Sequence, residues 1–461
     1  MKRDRLLLAA PKSGSGKTTI TCALLHWLKE NGYDVVSYKC GPDYIDPMFH
    51  KMVLGVPSRN LDTFFTGEAG TLQLFGQGQR DGSISILEGV MGLYDGLGGV
   101  GEEGSAYHLA KVTKTPILLI VDSKGMGRSL LALLSGFLQY DTDHLIKGVL
   151  LNRMSSTYYS TVKPLIEQEL PIKVVGYFPE QPSLRIGSRH LGLQMPGELP
   201  HIRETIGHAA AVLGKTVSIK ALLDIARSAP QLPEISAEPI RPAPPAERPV
   251  IAVARDEAFC FCYEENLDAL RQAGAELRFF SPLHDKALPK QCSGLLLVGG
   301  YPELYGKALS ENIEMKKAIA QAVQDGVVTV AECGGFLYLH SLLQTEGGTY
   351  PMVGVLPGKC WNTGKLVRFG YIEISERVPC FLPPGERIRG HAFHYYDSEE
   401  NGDGCIATKP TTGRTYPCIV TSETCWLGFP HLYYPSNPAF PKRFVDKARA
   451  YAHQKNGQDK S

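Results

Sequence analysis

The sequence predicts an α/β protein of two doubly wound domains, each a mostly parallel sheet with helices on both faces. Three observations carry that expectation. Short apolar runs of strand length alternate with helix-compatible stretches in both halves. A proline-rich segment divides the chain near its middle. In each half a strand runs into a glycine turn and then a helix, the local shape on which α/β proteins mount reactive or phosphate-binding groups.

At 461 residues the chain is too long for one core, so more than one domain is expected. Its 43% hydrophobic and 21% charged residues are ordinary for a globular protein. A net charge of +1 gives no bulk footprint for nucleic acid or an anionic membrane, and neither is expected as a partner. Met1 to Arg5 are mostly charged, and the apolar run Leu6 to Ala10 is too short for a signal core or a membrane span, so the expected compartment is the cytoplasm. The 11 cysteines are scattered without a CxxC pair, which argues against a disulfide framework. Cys260 and Cys262 flank Phe261, but no second Cys/His pair at zinc-finger spacing accompanies them. Most of these thiols are expected to be buried small hydrophobes.

The boundary falls at Pro230, Pro233, Pro239, Pro242, Pro244, Pro245 and Pro249, which read as an extended, semi-rigid linker. The expected division is a first domain at 1–228, a linker at 229–248, a second domain at 249–445 and a polar tail at 446–461. In the first half, Leu6–Ala10, Pro116–Asp122 and Ile146–Asn152 read as buried strands. In the second, Val250–Ala254 and Gly294–Gly300 do. From Gly354 to about Pro417, Gly, Thr and aromatic residues recur and strands are expected to dominate.

Directly after the first strand comes Pro11-Lys12-Ser13-Gly14-Ser15-Gly16-Lys17-Thr18-Thr19, followed by a helical stretch from Ile20 to Glu30. Strand, loop and helix are the context a phosphate loop needs. Gly14 and Gly16 let backbone N–H groups, Ser15 among them, turn inward around a phosphate. Lys17 reaches the β- and γ-phosphates, Thr18 offers a hydroxyl to Mg²⁺, and the helix starting near Thr19 adds its positive end. The usual pattern puts glycine at position 11, where this chain has proline; the fit is to the variant with an extra lysine, here Lys12. Lys12 is either a second phosphate contact or a solvent-facing loop residue. A bound nucleotide is the expectation these residues carry.

Acidic residues follow several strands. Asp43 and Asp46 lie in a Gly-Pro-Asp loop, Glu88 and Asp95 in a glycine-rich one, and Asp122 ends a strand. Ligands of an open parallel sheet bind beyond the carboxyl ends of its strands, so these groups should converge near the phosphate loop. Asp46 and Glu88 are the expected Mg²⁺ ligands; Asp43 and Asp95 could equally cap turns. Gly96, Gly98, Gly99 and Gly101 suggest a loop that closes over substrate.

In the second half Ala331-Glu332-Cys333-Gly334-Gly335 follows the apolar run Gly326–Val330 and precedes the helix-compatible Phe336 to His340. Such a turn exposes a nucleophile, and the helix N-terminus should favour the thiolate. The base could be His340, His391, His394 or His431; alternation puts His391 and His394 on opposite strand faces, and His340 should point away. The turn at Gly299-Gly300 supplies either oxyanion-stabilising N–H groups or simply a tight corner.

Together, Ser-Gly-Ser-Gly-Lys-Thr-Thr (13–19), Lys-Cys-Gly-Pro-Asp-Tyr-Ile-Asp-Pro-Met-Phe-His (39–50), Pro-Ser-Arg-Asn-Leu-Asp (57–62), Glu-Gly-Val-Met-Gly-Leu-Tyr-Asp-Gly (88–96), Ala-Val-Ala-Arg-Asp-Glu-Ala-Phe (252–259), Gly-Gly-Tyr-Pro-Glu-Leu (299–304), Ala-Glu-Cys-Gly-Gly (331–335) and Gly-His-Ala-Phe-His-Tyr (390–395) resemble the cobyrinate a,c-diamide synthases. The resemblance runs from about Leu6 to about Phe440. It implies a dethiobiotin-synthetase-like first domain and a class I glutamine amidotransferase second domain. It places the nucleophile on Cys333 and its base on His431. Relatives read His-Leu-His-Phe where this chain has His431-Leu432-Tyr433-Tyr434, which puts in doubt a third triad member at position 433. Thr18, Asp46 and Glu88 match positions that hold Mg²⁺, and Asn152 a position that reads adenine.

The resemblance implies ATP, glutamine and a corrinoid polycarboxylate as reactants, Mg²⁺ as cofactor, and allows a homodimer. Nickel-sirohydrochlorin and hydrogenobyrinate are rival acceptors for the same chemistry. An anionic tetrapyrrole calls for arginines, and Arg59 is one candidate, a cap or surface role being the other. A nucleotide-switch ATPase is the rival of another class, suggested by Lys12.

Overall fold

The structure is a computed structural model that describes residues 3–181, 188–189, 192–193, 199, 201–232 and 248–458. It divides into two compact units, Met1–Ala237 and Glu238–Ser461. Most of the expected linker lies outside the described residues.

In the first unit, seven strands form one parallel sheet: β1 (Arg5–Ala9), β2 (Val35–Cys40), β3 (Ser58–Leu61), β4 (Ile84–Glu88), β5 (Ile117–Asp122), β6 (Ile146–Asn152) and β7 (Lys173–Phe178). Their spatial order is β3-β2-β4-β1-β5-β6-β7, so β1 lies centrally between β4 and β5. Leu6, Leu7 and Leu8 are wholly buried, as are Leu118, Leu119 and Ile120, which is why these runs read as continuous apolar strands. Helix α1 (Lys17–Glu30) begins at Gly16, whose φ of 89° lies in the left-handed region that glycine tolerates. The carboxyl ends of β1, β2, β4 and β6 therefore carry the phosphate loop, Cys40, Glu88 and Asn152.

The second unit has two main sheets. Val250–Ala254, Glu276–Phe280, Cys292–Leu297, Val328–Glu332 and Cys425–Gly428 pair in parallel, with Val420–Thr421 antiparallel at the edge. The strands expected after Gly354 form a second sheet around the long strand Leu356–Glu376 and its antiparallel partner Ile388–Ser398. His431–Leu432 joins that sheet beside Gly390–His391.

The chain expected to be a polar tail from 446 instead continues the helix Ala439–Gln458. Phe440, Phe444, Val445 and Ala448 recur on one face and are wholly buried, and Phe440 packs edge-on against Trp426 at 5.0 Å. That apolar stripe holds the helix against the parallel sheet despite its polar outer face.

Candidate active sites

In the first unit, Lys17 is buried and its Nζ donates to the Met91 carbonyl at 2.5 Å. Burial, aided by the positive charge of Lys39, lowers its pKa to about 8. The Ser15 hydroxyl donates to the Lys12 carbonyl at 2.9 Å, which helps close the loop on itself. Gly14 has φ 76° and an exposed outer face. Lys12 is exposed, and its charge bears on Asp122 rather than on the acid cluster. Thr19 is half-buried at the start of α1. The Asn152 amide donates to the Ser15 carbonyl at 2.8 Å, and a Cβ at Gly16 would collide with its Nδ2. The end of β6 is thereby fitted to the phosphate loop.

Thr18, Asp46 and Glu88 converge as expected. The Thr18 hydroxyl donates to Glu88 Oε1 at 2.6 Å and lies 3.4 Å from Asp46 Oδ2. Sequence reasoning missed what joins them: Lys39, at the end of β2, is buried and donates to both Asp46 and Glu88. Its spacing from each acid carried no local pattern. His50 completes the cluster, with Nε2 3.3 Å from Glu88 Oε2 and Nδ1 within 3.1 Å of the Ser37 hydroxyl.

Burial opposes ionisation of Glu88, but Lys39, His50 and the Thr18 hydroxyl together hold its pKa well below the usual range. Burial and the charges of Asp43 and Glu88 push Asp46 upward. Burial would lower Lys39, yet Asp46 and Glu88 outweigh it. A hydroxyl and two carboxylates are hard oxygen donors of the kind Mg²⁺ accepts. Among the described residues no three His, Cys, Asp or Glu side chains form a metal-holding group, so a cation here would take its remaining ligands from phosphate and water.

Asp43 and Asp95 make turn contacts. Asp43 Oδ1 accepts from the Ile45 and Asp46 N–H groups, and Asp95 Oδ2 from the Gly92 N–H. Asp122 pairs with Arg153. The glycine loop is knitted by its own main chain, Gly96 N–H to Gly101 and Leu97 N–H to Glu103. Arg59 lies in β3, its Cδ against Gly78.

In the second unit, Cys333 sits where Val328–Glu332 meets the short helix Gly334–Leu339. Its φ of 46° is a left-handed value that a non-glycine residue adopts only when its surroundings impose it. Two contacts do so. The Cys333 N–H donates to the Gly428 carbonyl at 2.9 Å, and Gly335 lies so close to Leu297 that no Cβ would fit there.

The expected helix effect on the thiol is present in the Gly334 N–H but is outweighed. Burial, with Glu303 and Glu332 adding negative charge, drives the Cys333 pKa upward and keeps the sulfur protonated. A helix of six residues offers only its Gly334 N–H against burial and these charges.

His431 lies three residues beyond Gly428, and its ring edge packs against Gly299. The next glycine, Gly300, has its N 2.9 Å from the Cβ position of Gly334. The Gly299–Gly300 corner therefore lies against the histidine at one residue and the thiol turn at the next. Burial holds His431 well below its ordinary pKa, with His391 and His394 contributing, so it is a neutral ring able to accept a proton. His391 faces His431 directly across the antiparallel pairing of Gly390–His391 with His431–Leu432. His340 ends the short helix; its ring contacts the Phe336 carbonyl and the Ser398 hydroxyl, a structural role. Glu332 is also buried, and burial raises its pKa to about 8 against the opposing pull of the Leu432 N–H and Tyr434.

No described helix is long and apolar enough to cross a membrane. Residues 6–193 match the CobQ/CobB/MinD/ParA nucleotide binding domain, and residues 250–417 the CobB/CobQ-like glutamine amidotransferase domain. A cobyrinate a,c-diamide synthase of Thermoplasma volcanium is 38% identical over 461 residues, covering 99% of each chain. One from Priestia megaterium is 37% identical with 98% of each chain covered, and one from Dehalococcoides mccartyi 36% identical with 98% and 99% covered. With both units aligned end to end at this identity, the chain belongs to the cobyrinate a,c-diamide synthase family.

Proposed function

We propose that this chain is a carbon–nitrogen ligase that amidates the a- and c-acetate carboxylates of cobyrinate, using ATP and glutamine. Family membership over the full length is the observation that carries this reading. The two sites divide the chemistry.

In the amidotransferase unit the Cys333 sulfur attacks the side-chain amide carbon of glutamine. His431, held neutral by burial, takes the thiol proton as the bond forms. Main-chain N–H groups where Gly300 meets Gly334 face the developing oxyanion. The proton then passes to the leaving nitrogen, ammonia departs, and water cleaves the thioester to glutamate.

In the other unit a substrate carboxylate oxygen attacks the γ-phosphorus of ATP and ADP leaves, giving an acyl phosphate. Lys17 and the N–H groups from Gly14 to Thr19 counter the phosphate charge. Mg²⁺ held by Thr18, Asp46 and Glu88 would supply further neutralisation of the phosphate oxygens. Asn152 is the residue we assign to the adenine. Ammonia attacks the acyl carbon, the C–O bond to phosphate breaks, and the amide remains. Two such cycles give the diamide. The cytosol, which supplies ATP and keeps thiols reduced, is the compartment we assign.

Cys333→Ala tests the reading. Glutamine-dependent amidation should vanish while ammonia-dependent amidation continues, and mass spectrometry should find two amides in place of two acids on cobyrinate. Full glutamine use by the variant would overturn it. A nucleotide-switch ATPase would be indifferent to the change.

A further inference from the structure

Glutamine hydrolysis in the reading above turns on His431, and the inference here rests on that reading. Two residues beyond it stands Tyr433 rather than a carboxylate. The Tyr433 ring is fully buried and edge-on to Tyr263, with centroids 5.1 Å apart at 74°. Its N–H donates to the Arg389 carbonyl at 3.0 Å. Position 433 thus packs the chain beside the base.

The imidazole of His431 is bounded by other groups. One face lies against His391, with ring centroids 4.9 Å apart and planes 12° from parallel. The two residues face each other across an antiparallel strand pair, so their backbones fix the stack. The ring edge abuts Gly299. His391 is anchored in turn, its Nδ1 3.4 Å from the Tyr263 hydroxyl. Asn266 clamps the chain after His431: its amide donates to the Leu432 carbonyl at 2.9 Å and accepts from the Tyr434 N–H at 2.8 Å.

We propose that His391 is a positioning residue for His431, setting the plane of the base by stacking and offering its ring face to the imidazolium formed when the thiol proton arrives. Two charged rings at this distance would repel, so the arrangement works only if His391 stays neutral. The groups facing it are His431, Tyr263 and, more remotely, Lys409; burial first, and Lys409 second, push it down to about 3. A neutral aromatic face beside a desolvated cation is attractive.

The test uses the full chain and four measurements: glutamine hydrolysis, glutamine-dependent amidation, ammonia-dependent amidation and thermal unfolding. His391→Ala should lower kcat for glutamine hydrolysis on the order of 10- to 100-fold through lost orientation. KM for glutamine and ammonia-dependent amidation should stay near the parent values. His391→Phe, which keeps an aromatic face, should retain activity within about 3-fold. His431→Ala should abolish glutamine hydrolysis. If His431→Ala is dead but His391→Ala hydrolyses glutamine at the parent rate, the positioning role is wrong and the base assignment stands. If His391→Phe falls as far as His391→Ala while unfolding like the parent, stacking is not the cause. An active His431→Ala would instead overturn the underlying base assignment. Should His391→Ala lose its cooperative unfolding transition, His391→Phe decides alone.

Discussion

Lys39 Nζ lies 3.1 Å from Glu88 Oε1, so the acid cluster beside the phosphate loop carries a cation of its own. The same ammonium is bonded to Asp46, and all three groups are buried. Removing it would leave two buried carboxylates with only His50 and the Thr18 hydroxyl, both at Glu88, to offset them.

Lys39→Met should therefore cost about 3–5 kcal/mol of stability, the usual penalty for orphaning a buried charge. Added Mg²⁺ should recover part of that loss, because an ion that binds only the folded site stabilises it. Urea unfolding with and without Mg²⁺ reads both effects. If Mg²⁺ stabilises the variant no more than the parent, the cluster is not a cation site.

Gly299→Ala places a methyl group against the His431 ring edge, 3.1 Å from Nδ1. Glutamine hydrolysis should fall by about 100-fold, since a displaced base no longer reaches its proton. Ammonia-dependent amidation should be untouched. Equal loss of both activities would show that the substitution acts on folding.

Acid should weaken the second unit early. His391 and His394 are held down to about 3 and about 4 by burial, and His431 well below its ordinary value. Unfolding frees them to protonate near pH 6.5, so below that pH the unfolded chain binds more protons than the native one. Stability is present above pH 6.5 and falls as pH drops, by roughly 1.4 kcal/mol per unit for each histidine, until native protonation begins. Urea midpoints at pH 7.5, 6.5 and 5.5 should trace this slope, and His391→Phe should flatten it by one histidine's share. An unchanged slope would mean that His391 ionises freely in the native protein.

Glu332 works in the opposite direction. Its pKa is raised to about 8, so the native carboxyl holds a proton that the unfolded chain gives up near pH 4.5. Its stabilising share is complete below that pH and is lost as pH rises toward 8. Glu332→Gln keeps an acceptor for the Leu432 N–H without a charge to bury. At pH 8 it should be more stable than the parent by about 2–4 kcal/mol, and near pH 4.5 about equal to it. A less stable variant at pH 8 would mean that the ionised carboxylate holds its neighbours together.

Much of the fold was legible because parallel strands buried on both faces leave unbroken apolar runs, as at Leu6–Leu8 and Val250–Ala254. The phosphate loop and the cysteine turn were legible because each packs its chemistry into a few consecutive residues. Groups joined across the sheet from positions that no loop motif marks were not. Lys39 meets Glu88 from 49 residues away, and His391 meets His431 from 40 residues away through an antiparallel strand pairing that no local pattern announces. The state of the Cys333 thiol was not legible because burial, which no local pattern displays, outweighs the Gly334 N–H. The closing helix was written at Phe440, Phe444, Val445 and Ala448, and the polar residues between them obscured it.

Cys333 is 7% exposed and protonated, on a backbone that its neighbours hold in a left-handed turn. Such a sulfur is a poor target for peroxide or for stray electrophiles, which react with exposed thiolates. It is equally poor at idle turnover. If Cys333 is the nucleophile, its reactivity would be conditional, called up only when a bound amide gives the thiol proton a reason to move.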